Sequence, residues 1–334
     1  MSEKIQMKVV AIFTIVVLVI SVVGSFLFGD RPAPEVPLER VSERGRLQVI
    51  GTQLCGEDGE PVILRGMSTS GYMWHASLYK DTAIDLLATE TGANLLRLAM
   101  YTGEGGYLRN EWHAEKMYET MDRAIENDLY VIIDWHILSE KDPMLLVDKA
   151  KEFFAVTAEM YKDSPNVLYE ICNEPNGDIT WADNVKPYAE QVIEVIREHD
   201  PDSVILVGSP RWSTCVVDAA DDPLDYENIM YTYHFYSGTN GQADRDNIDY
   251  ALEHGAPVFI SEWGTTDSSG AGALYLDSAE EWTDFMEERK LSWANWAYAA
   301  ADGSGVLTSV YSNGQWTEAN ISESGKFVFS KFHQ

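Results

Sequence analysis

Apolar runs rich in β-branched and aromatic residues alternate along this chain with segments in which apolar residues recur at helical spacing. The runs predict eight strands, at 62–67, 94–100, 130–136, 166–172, 203–208, 228–236, 257–262 and 291–298. The segments between them predict helices, at 81–92, 114–128, 145–162, 182–199, 243–255 and 278–289. The helical pattern is weak between the fifth and sixth strands, because Asp221-Asp222-Pro223 interrupts it.

This alternation of strands and helices predicts an α/β fold, namely a (β/α)8 TIM barrel. A doubly wound open sheet is the alternative. The count of eight strands and the lack of a glycine-rich phosphate-binding turn after the first of them favour the barrel. Ahead of the barrel, residues 47–60 predict a small hairpin whose turn is supplied by Asp58-Gly59. We therefore expect residues 47–334 to form one domain.

The first residues differ in character from the rest of the chain. An uncharged, mostly apolar stretch from Val9 to Gly29 follows Lys4 and Lys8, and its length suits a membrane span. A cleaved signal peptide is the alternative, but the stretch is long and lacks a clear cleavage site. The lysines predict a cytoplasmic amino terminus, so residues 1–29 would anchor an extracellular domain, or release it if they are cleaved. Residues 30–46, with three prolines, predict a tether.

Composition limits the kinds of partner. The chain has 54 acidic and 24 basic residues, a formal net charge of -30, which argues against nucleic acid and anionic polymers and is compatible with a neutral substrate. The acidic residues are spread along the chain. This distribution is typical of a solvated, soluble surface, and adaptation of the protein to high salt is the alternative interpretation. The 3 cysteines fit neither a disulfide framework nor a metal cluster. We expect a monomer without metal or organic cofactor.

Two glutamates close apolar runs and are the leading candidates for chemistry. Glu174 follows the fourth predicted strand, and Glu262 ends the seventh. The carboxyl ends of barrel strands converge on one face, so the two side chains should lie near each other. Facing carboxyl groups are what glycosidic bond cleavage requires. Surface carboxylates in turns are the alternative, which the nearly continuous apolar runs disfavour.

Polar and aromatic residues also mark the ends of the other predicted strands. They are Trp74, Arg97, Tyr101, His136, Asn173, Trp212, His234, Tyr236 and Trp296. Taken singly, each has an ordinary alternative, such as a structural ion pair, a core histidine or packing. Six further tryptophans are interpreted as packing or left unassigned: Trp112, Trp135, Trp181, Trp282, Trp293 and Trp316.

From about Cys55 onward the sequence resembles the cellulases of glycoside hydrolase family 5. The motifs are Asn-Val-Leu-Tyr-Glu-Ile-Cys-Asn-Glu-Pro-Asn-Gly at 166–177, Tyr-Thr-Tyr-His-Phe-Tyr at 231–236, Ser-Glu-Trp-Gly at 261–264 and Ser-Trp-Ala-Asn-Trp at 292–296. The resemblance implies a retaining mechanism in which Glu174 is the general acid/base and Glu262 the nucleophile.

Physical roles for the neighbouring residues agree with this assignment. Arg97 and Tyr236 would keep Glu262 ionised, one by its charge and the other by a hydrogen bond. Asn173 would bond the 2-hydroxyl of the attacked sugar. Two histidines, His136 and His234, would bond the sugar or the two carboxylates. The aromatic residues would stack on sugar rings: Trp296, Trp74, Tyr101 and Trp212.

The sequence departs from the family pattern at two places. Ser70 stands where these cellulases usually carry a histidine, and residues 297–301 read Ala-Tyr-Ala-Ala-Ala where close relatives tend to place a lysine. Both changes fall on the glycone side of the expected groove. We therefore expect an endo-β-1,4-glucanase acting on cellulose or related β-glucan. Action on mannan, xyloglucan or mixed-linkage glucan is an alternative, and so is a non-catalytic surface protein that binds glycan.

Overall fold

The computed structural model describes residues 39–333, which contain a closed barrel of eight parallel strands behind a two-stranded antiparallel sheet. The hairpin strands are β1 (Gln48–Ile50) and β2 (Gln53–Cys55). The barrel strands are β3 (Arg65–Thr69), β4 (Leu95–Tyr101), β5 (Tyr130–His136), β6 (Val167–Glu170), β7 (Ile205–Val207), β8 (Ile229–Tyr236), β9 (Val258–Gly264) and β10 (Trp293–Tyr298). The barrel closes where β10 pairs with β3, so the predicted TIM barrel is confirmed and the open sheet is excluded.

Helices cover the barrel on the outside. Those of eight or more residues are Asp81–Glu90, His113–Glu126, Val147–Tyr161, Lys186–His199, Gln242–Glu253, Leu276–Glu288 and Glu323–Ser330. Between β7 and β8 there are only the short helical segments Pro210–Ser213 and Val216–Asp221, and the second ends before Pro223 as the sequence predicts. The predicted span lies outside the described residues. Among residues 39–333, no helix has the length and apolar character needed to cross a bilayer.

The buried apolar side chains form two clusters. The larger packs the helices against the barrel wall. The smaller fills the inside of the barrel near the amino-terminal ends of its strands, where Leu95, Leu206 and Phe259 meet Leu47 and Leu54 of the hairpin. The hairpin therefore closes the amino-terminal end of the barrel and leaves the carboxyl end open to substrate.

The hairpin turn differs from the prediction. β1 and β2 are joined at Gly51-Thr52, where Gly51 has a φ of 62°, and not at Asp58-Gly59. The Asp58-Gly59 pair forms the next turn, in which Gly59 N–H donates to Gly56 O at 3.0 Å. Gly51 and Gly59 both tolerate positive φ. The two-residue loop at Gly51-Thr52 is the one that lets β1 and β2 pair directly, with Ile50 opposite Gln53.

The described end of the predicted tether is folded against the barrel. Residues Val41–Arg44 form a single helical turn. Arg40 Nη2 donates to Ala88 O at 2.7 Å, near the end of the helix Asp81–Glu90. Arg44 forms an ion pair with Glu39 at 3.0 Å. Because each helix runs back toward the amino-terminal ends of the strands, the chain enters the barrel at the end opposite the catalytic face.

Candidate active site

The barrel brings together the two glutamates that the sequence singles out. Glu262 lies in β9, and Glu174 lies in the loop that follows β6. One ligand atom each from Glu174, His234 and Glu262 lies within 4.8 Å of the other two. An oxygen of Glu174 within 4.8 Å of an oxygen of Glu262 fits retaining glycosidases, whose carboxyl groups are about 5–5.5 Å apart, better than the inverting class at about 6.5–9.5 Å.

Two donors contact the carboxyl group of Glu262. Tyr236 Oη donates to Oε1 at 2.8 Å, and Arg97 Nη1 donates to Oε2 at 3.3 Å. Burial and the negative charges of Glu262 and Glu174 raise the pKa of Tyr236 well above its usual value, so its phenol remains a donor. Both oxygens of Glu262 therefore face positive or hydrogen-bonding groups, as an anionic nucleophile requires.

Glu174 has different surroundings. Its side chain is 12% exposed, and its Oε1 lies 3.0 Å from His234 Nδ1. No cation of fixed charge is paired with it among the described ion pairs, in contrast to Glu262 beside Arg97. Two carboxyl groups in such unequal environments can take different roles in one reaction, one as proton donor and the other as nucleophile.

A buried charge network lies beneath the pair, and sequence reasoning missed two of its members, Asp134 and Glu170. Arg97 Nε donates to Glu170 Oε2 at 2.6 Å and Nη2 to Oε1 at 3.1 Å, while Asp134 Oδ2 lies 2.9 Å from Nη2. Burial opposes ionisation, but the Arg97 charge and hydrogen bonds lower the pKa of Glu170 to about 2. Burial raises the pKa of Asp134 well above its usual value. In the sequence, both residues could have been noticed as acidic residues inside otherwise apolar predicted strands, where a charge needs a partner.

His136 orients Asn173. Its Nδ1 lies 2.6 Å from Asp134 Oδ2. Burial, with the Arg97 charge, lowers the pKa of His136 to about 4, so the ring is neutral and donates from Nδ1. Its Nε2 then accepts from Asn173 Nδ2 at 3.3 Å, and Asn173 Oδ1 accepts from Arg97 Nη2 at 2.7 Å. The carboxylate that His136 contacts is thus Asp134, neither of the two glutamates.

Aromatic rings line one side of the catalytic face. Half-buried Trp296 stacks on His136 with centroids 5.5 Å apart, and Tyr101 lies 4.0 Å from the same imidazole. Trp74 meets Tyr101 edge to face at 5.0 Å and is 53% exposed. These four residues form a continuous wall, which leads outward from the carboxylates and is suited to sugar rings.

Trp212 stands apart from this wall, on an unusual turn. Arg211, Trp212 and Ser213 have φ values of 58°, 57° and 55°, a left-handed conformation that costs energy in non-glycine residues. The turn is tied to the loop that carries Glu174, since Trp212 N–H donates to Pro175 O at 3.0 Å and Ser213 Oγ to Asn173 O at 2.6 Å. It leaves Trp212 52% exposed.

His75 lies at the first departure from the family pattern, and sequence reasoning missed it. Ser70 is buried, and its Oγ lies 2.6 Å from Nδ1 of half-buried His75. Burial lowers the pKa of His75. An imidazole thus remains beside position 70, supplied from the short helix Tyr72–His75. The sequence signal was a histidine five positions downstream, but a contact of this kind depends on the path of the loop.

Of the six tryptophans interpreted as packing or left unassigned, five are buried: Trp135, Trp181, Trp282, Trp293 and Trp316. The sixth, Trp112, is 45% exposed.

In the described part of the chain, Glu174, His234 and Glu262 also come close enough to suit a cation. The guanidinium of Arg97 already supplies positive charge 3.3 Å from Glu262, so we interpret the group as acid–base machinery.

Comparison with known proteins agrees with this geometry. A family model described as cellulase, glycosyl hydrolase family 5, matches residues 55–302. An endoglucanase of Clostridium saccharobutylicum is 46% identical over 287 residues, covering 85% of this chain and 64% of that protein. Endoglucanase A of Evansella cellulosilytica is 47% identical over 279 residues, covering 83% of this chain and 57% of that protein. The chain thus spans less than two thirds of the length of these relatives.

A solved structure gives the same result. It is a variant of the catalytic domain of Thermobifida fusca endoglucanase Cel5A in complex with cellotetraose, 40% identical to this chain with a TM-score of 0.84. The match covers 88% of this chain and 99% of that domain. Taken together, the barrel, the paired glutamates and these matches establish that the chain belongs to the cellulase family of glycosyl hydrolases, family 5.

Proposed function

We propose that this protein is a retaining endo-β-1,4-glucanase that hydrolyses internal bonds of cellulose or a related β-glucan. The observation that carries the proposal is the carboxyl pair, Glu174 and Glu262, with oxygens within 4.8 Å and unequal surroundings. The named endoglucanase relatives and the cellotetraose held by one of them support a cello-oligosaccharide substrate.

The proposed reaction is a double displacement. The carboxylate of Glu262 attacks the anomeric carbon while Glu174 protonates the leaving oxygen. This step gives a covalent glycosyl-enzyme and releases the part of the glucan that carries the protonated oxygen. Glu174, now ionised, takes a proton from water, which attacks the anomeric carbon and frees Glu262. Tyr236 and Arg97 each donate to one oxygen of the nucleophile and hold it in position.

Substrate binding falls to neutral groups. The aromatic wall from Trp296 to Trp74 offers apolar ring faces, and Trp212 offers another exposed face beside the loop of Glu174. Asn173 is fixed in orientation beside Glu174, where it can meet the 2-hydroxyl of the attacked sugar. With a net charge of -30 the protein favours neutral polymers over anionic ones.

Substrate preference can be tested on three polymers. We expect the full chain, in detergent, to release reducing ends from carboxymethylcellulose faster than from lichenan or mannan. Carboxymethylcellulose is anionic, so the assay contains salt at about 0.15 M, which screens the repulsion between this polymer and the acidic protein beyond about 8 Å. Glu262→Ala should abolish the release, whereas Glu198→Ala, an exposed carboxylate on an outer helix, should not change it.

Other outcomes point to the alternatives. Faster cutting of mannan or lichenan would keep the mechanism and change the substrate, since subsite shape alone differs among such enzymes. Retained glucan binding without any turnover would assign the protein to the non-catalytic class. Cutting that survives in Glu262→Ala would contradict the proposed nucleophile.

We also propose that the catalytic domain works outside the cell as a monomer anchored by the apolar segment Val9–Gly29. The support is the length of that segment and the lysines before it. The full chain expressed in a bacterium should stay with the membranes after an alkaline carbonate wash, at its uncut mass. A shorter product in the medium would instead indicate a cleaved signal. A chain lacking residues 1–29 is the control and should not sediment.

A further inference from the structure

A third glutamate, Glu170, is fully buried beneath the catalytic pair and has no part in the double displacement. Its Oε1 accepts from Ser261 Oγ at 2.7 Å, and Ser261 Oγ lies 2.9 Å from His234 Nε2. The other ring nitrogen of His234, Nδ1, lies 3.0 Å from Glu174 Oε1. A continuous chain of contacts therefore runs from Glu170 to Glu174.

The protons in this chain can be assigned one at a time. Glu170 is ionised and can only accept, so the single hydroxyl hydrogen of Ser261 points to it. Ser261 Oγ is then an acceptor toward His234, and Nε2 must carry a hydrogen. At Nδ1, the 3.0 Å contact with Glu174 needs one proton, held either by the carboxyl group or by the ring.

We propose that Glu170 is a positioning residue that acts through Ser261 to keep a hydrogen on Nε2 of His234, which leaves Nδ1 to share a proton with the acid/base Glu174. The inference rests on the proposed function and deepens it. Glu174 gives up that proton during attack on the sugar and recovers it from water afterwards, and the shared contact keeps it available between turnovers.

The charges around His234 affect the pH at which the proton shared with Glu174 is lost. The charged groups that act on His234 are Glu170, Glu174 and Glu262, and its own charge acts on Asp134. The other titratable groups around these carboxyl groups are Arg97, Tyr101, His136 and, on the same strand as His234, Tyr236. Burial opposes the charged ring, but the negative charge of Glu170, 3.8 Å away behind Ser261, and the hydrogen bond to Glu174 raise the pKa of His234 to about 9. A raised pKa means that the proton is retained below that pH and lost as the pH rises through it.

The first test is Glu170→Gln in the full chain. The short 2.6 Å contact from Arg97 Nε to Oε2 keeps the amide oxygen at that position, so the amide NH2 replaces Oε1. Ser261 should then turn its hydrogen toward Nε2 and move the ring hydrogen to Nδ1. We expect the alkaline limb of kcat/KM on cello-oligosaccharides to move down by at least about one pH unit, and kcat/KM at pH 7 to fall about 100-fold.

A second substrate separates this effect from general damage. The leaving group of 2,4-dinitrophenyl β-cellobioside needs no proton, so kcat/KM for it should fall less than about threefold in Glu170→Gln. Equal losses on both substrates, or an unmoved alkaline limb, would overturn the proposal. Ser261→Ala leaves Glu170 paired with Arg97 and should shift the limb in the same direction by a smaller amount. Ser203→Ala, a buried serine bonded to Arg197 far from the site, is its matched control.

The tautomer itself can be observed without turnover. In the full chain with ¹⁵N-labelled histidine, long-range ¹⁵N–¹H spectra at pH 7 should show a hydrogen on Nε2 of His234, and a hydrogen on Nδ1 alone in Glu170→Gln. The His234→Gln variant identifies the signal. A wild-type ring with hydrogen on Nδ1 alone would overturn the inference. Because this readout needs no substrate, an enzyme that failed to cut glucan would disprove the proposed function while the spectra still decided the tautomer.

Discussion

Glu262→Ala is expected to lower glucan hydrolysis by at least about 10⁴-fold, because loss of a covalent nucleophile leaves only binding and acid assistance. The smaller side chain also leaves room for an external anion. Azide should therefore restore cleavage of an aryl β-cellobioside and yield the α-glycosyl azide, since direct attack inverts the anomeric carbon once. Product identification by proton NMR distinguishes the two anomers.

The matched variant is Glu174→Ala, which removes the other carboxyl group. There azide should intercept the glycosyl-enzyme and give the β-glycosyl azide, because two inversions take place. If Glu262→Ala gave the β-azide instead, the two roles would be exchanged. If neither variant gave a glycosyl azide, the retaining mechanism would be contradicted.

Arg97→Met is expected to lower the free energy of unfolding by about 3–5 kcal/mol as well as to abolish activity. The guanidinium is fully buried and contacts Asp134, Glu170 and Glu262. Removing it leaves three buried carboxyl groups without their counter-charge. Urea unfolding followed by tryptophan fluorescence measures the change through its midpoint.

The control for this prediction is Arg123→Met. Arg123 also pairs with two carboxylates, Asp85 at 2.6 Å and Glu126 at 2.7 Å, but it is 31% exposed. A surface ion pair contributes about 1 kcal/mol or less, so this variant should unfold nearly as the wild type does. Equal losses in the two variants would mean that burial does not determine the strength of the Arg97 network.

The sequence was sufficient for the barrel and for the residues at its open end. Apolar runs of strand length separated by helical spacing are local patterns, and the convergence of strand ends in a barrel then places Glu174 near Glu262 without knowledge of any contact. The same rule brought His136, His234 and Tyr236 to one face, although which atom each would contact could not be read from the chain.

What the sequence missed depends on contacts between distant segments. Asp134 and Glu170 lie inside apolar strands, and their burial is tolerated because Arg97 reaches both from another strand. The pairing of His75 with Ser70 depends on the path of a short loop. The hairpin was predicted at the wrong turn because Gly51 and Gly59 both take positive φ. The pairing of β1 with β2 determines which of the two turns joins the strands, and the sequence does not show that pairing.

The closed amino-terminal end of the barrel bears on how the proposed anchor would work. The hairpin and Arg40 lie at that end, and the carboxylates lie at the other. A domain held to a membrane from residue 39 would therefore turn its cleft outward, with the full height of the barrel acting as a spacer. Long insoluble chains could then lie across the cleft without touching the lipid headgroups, and the tether would limit how far along a fibre each molecule could reach.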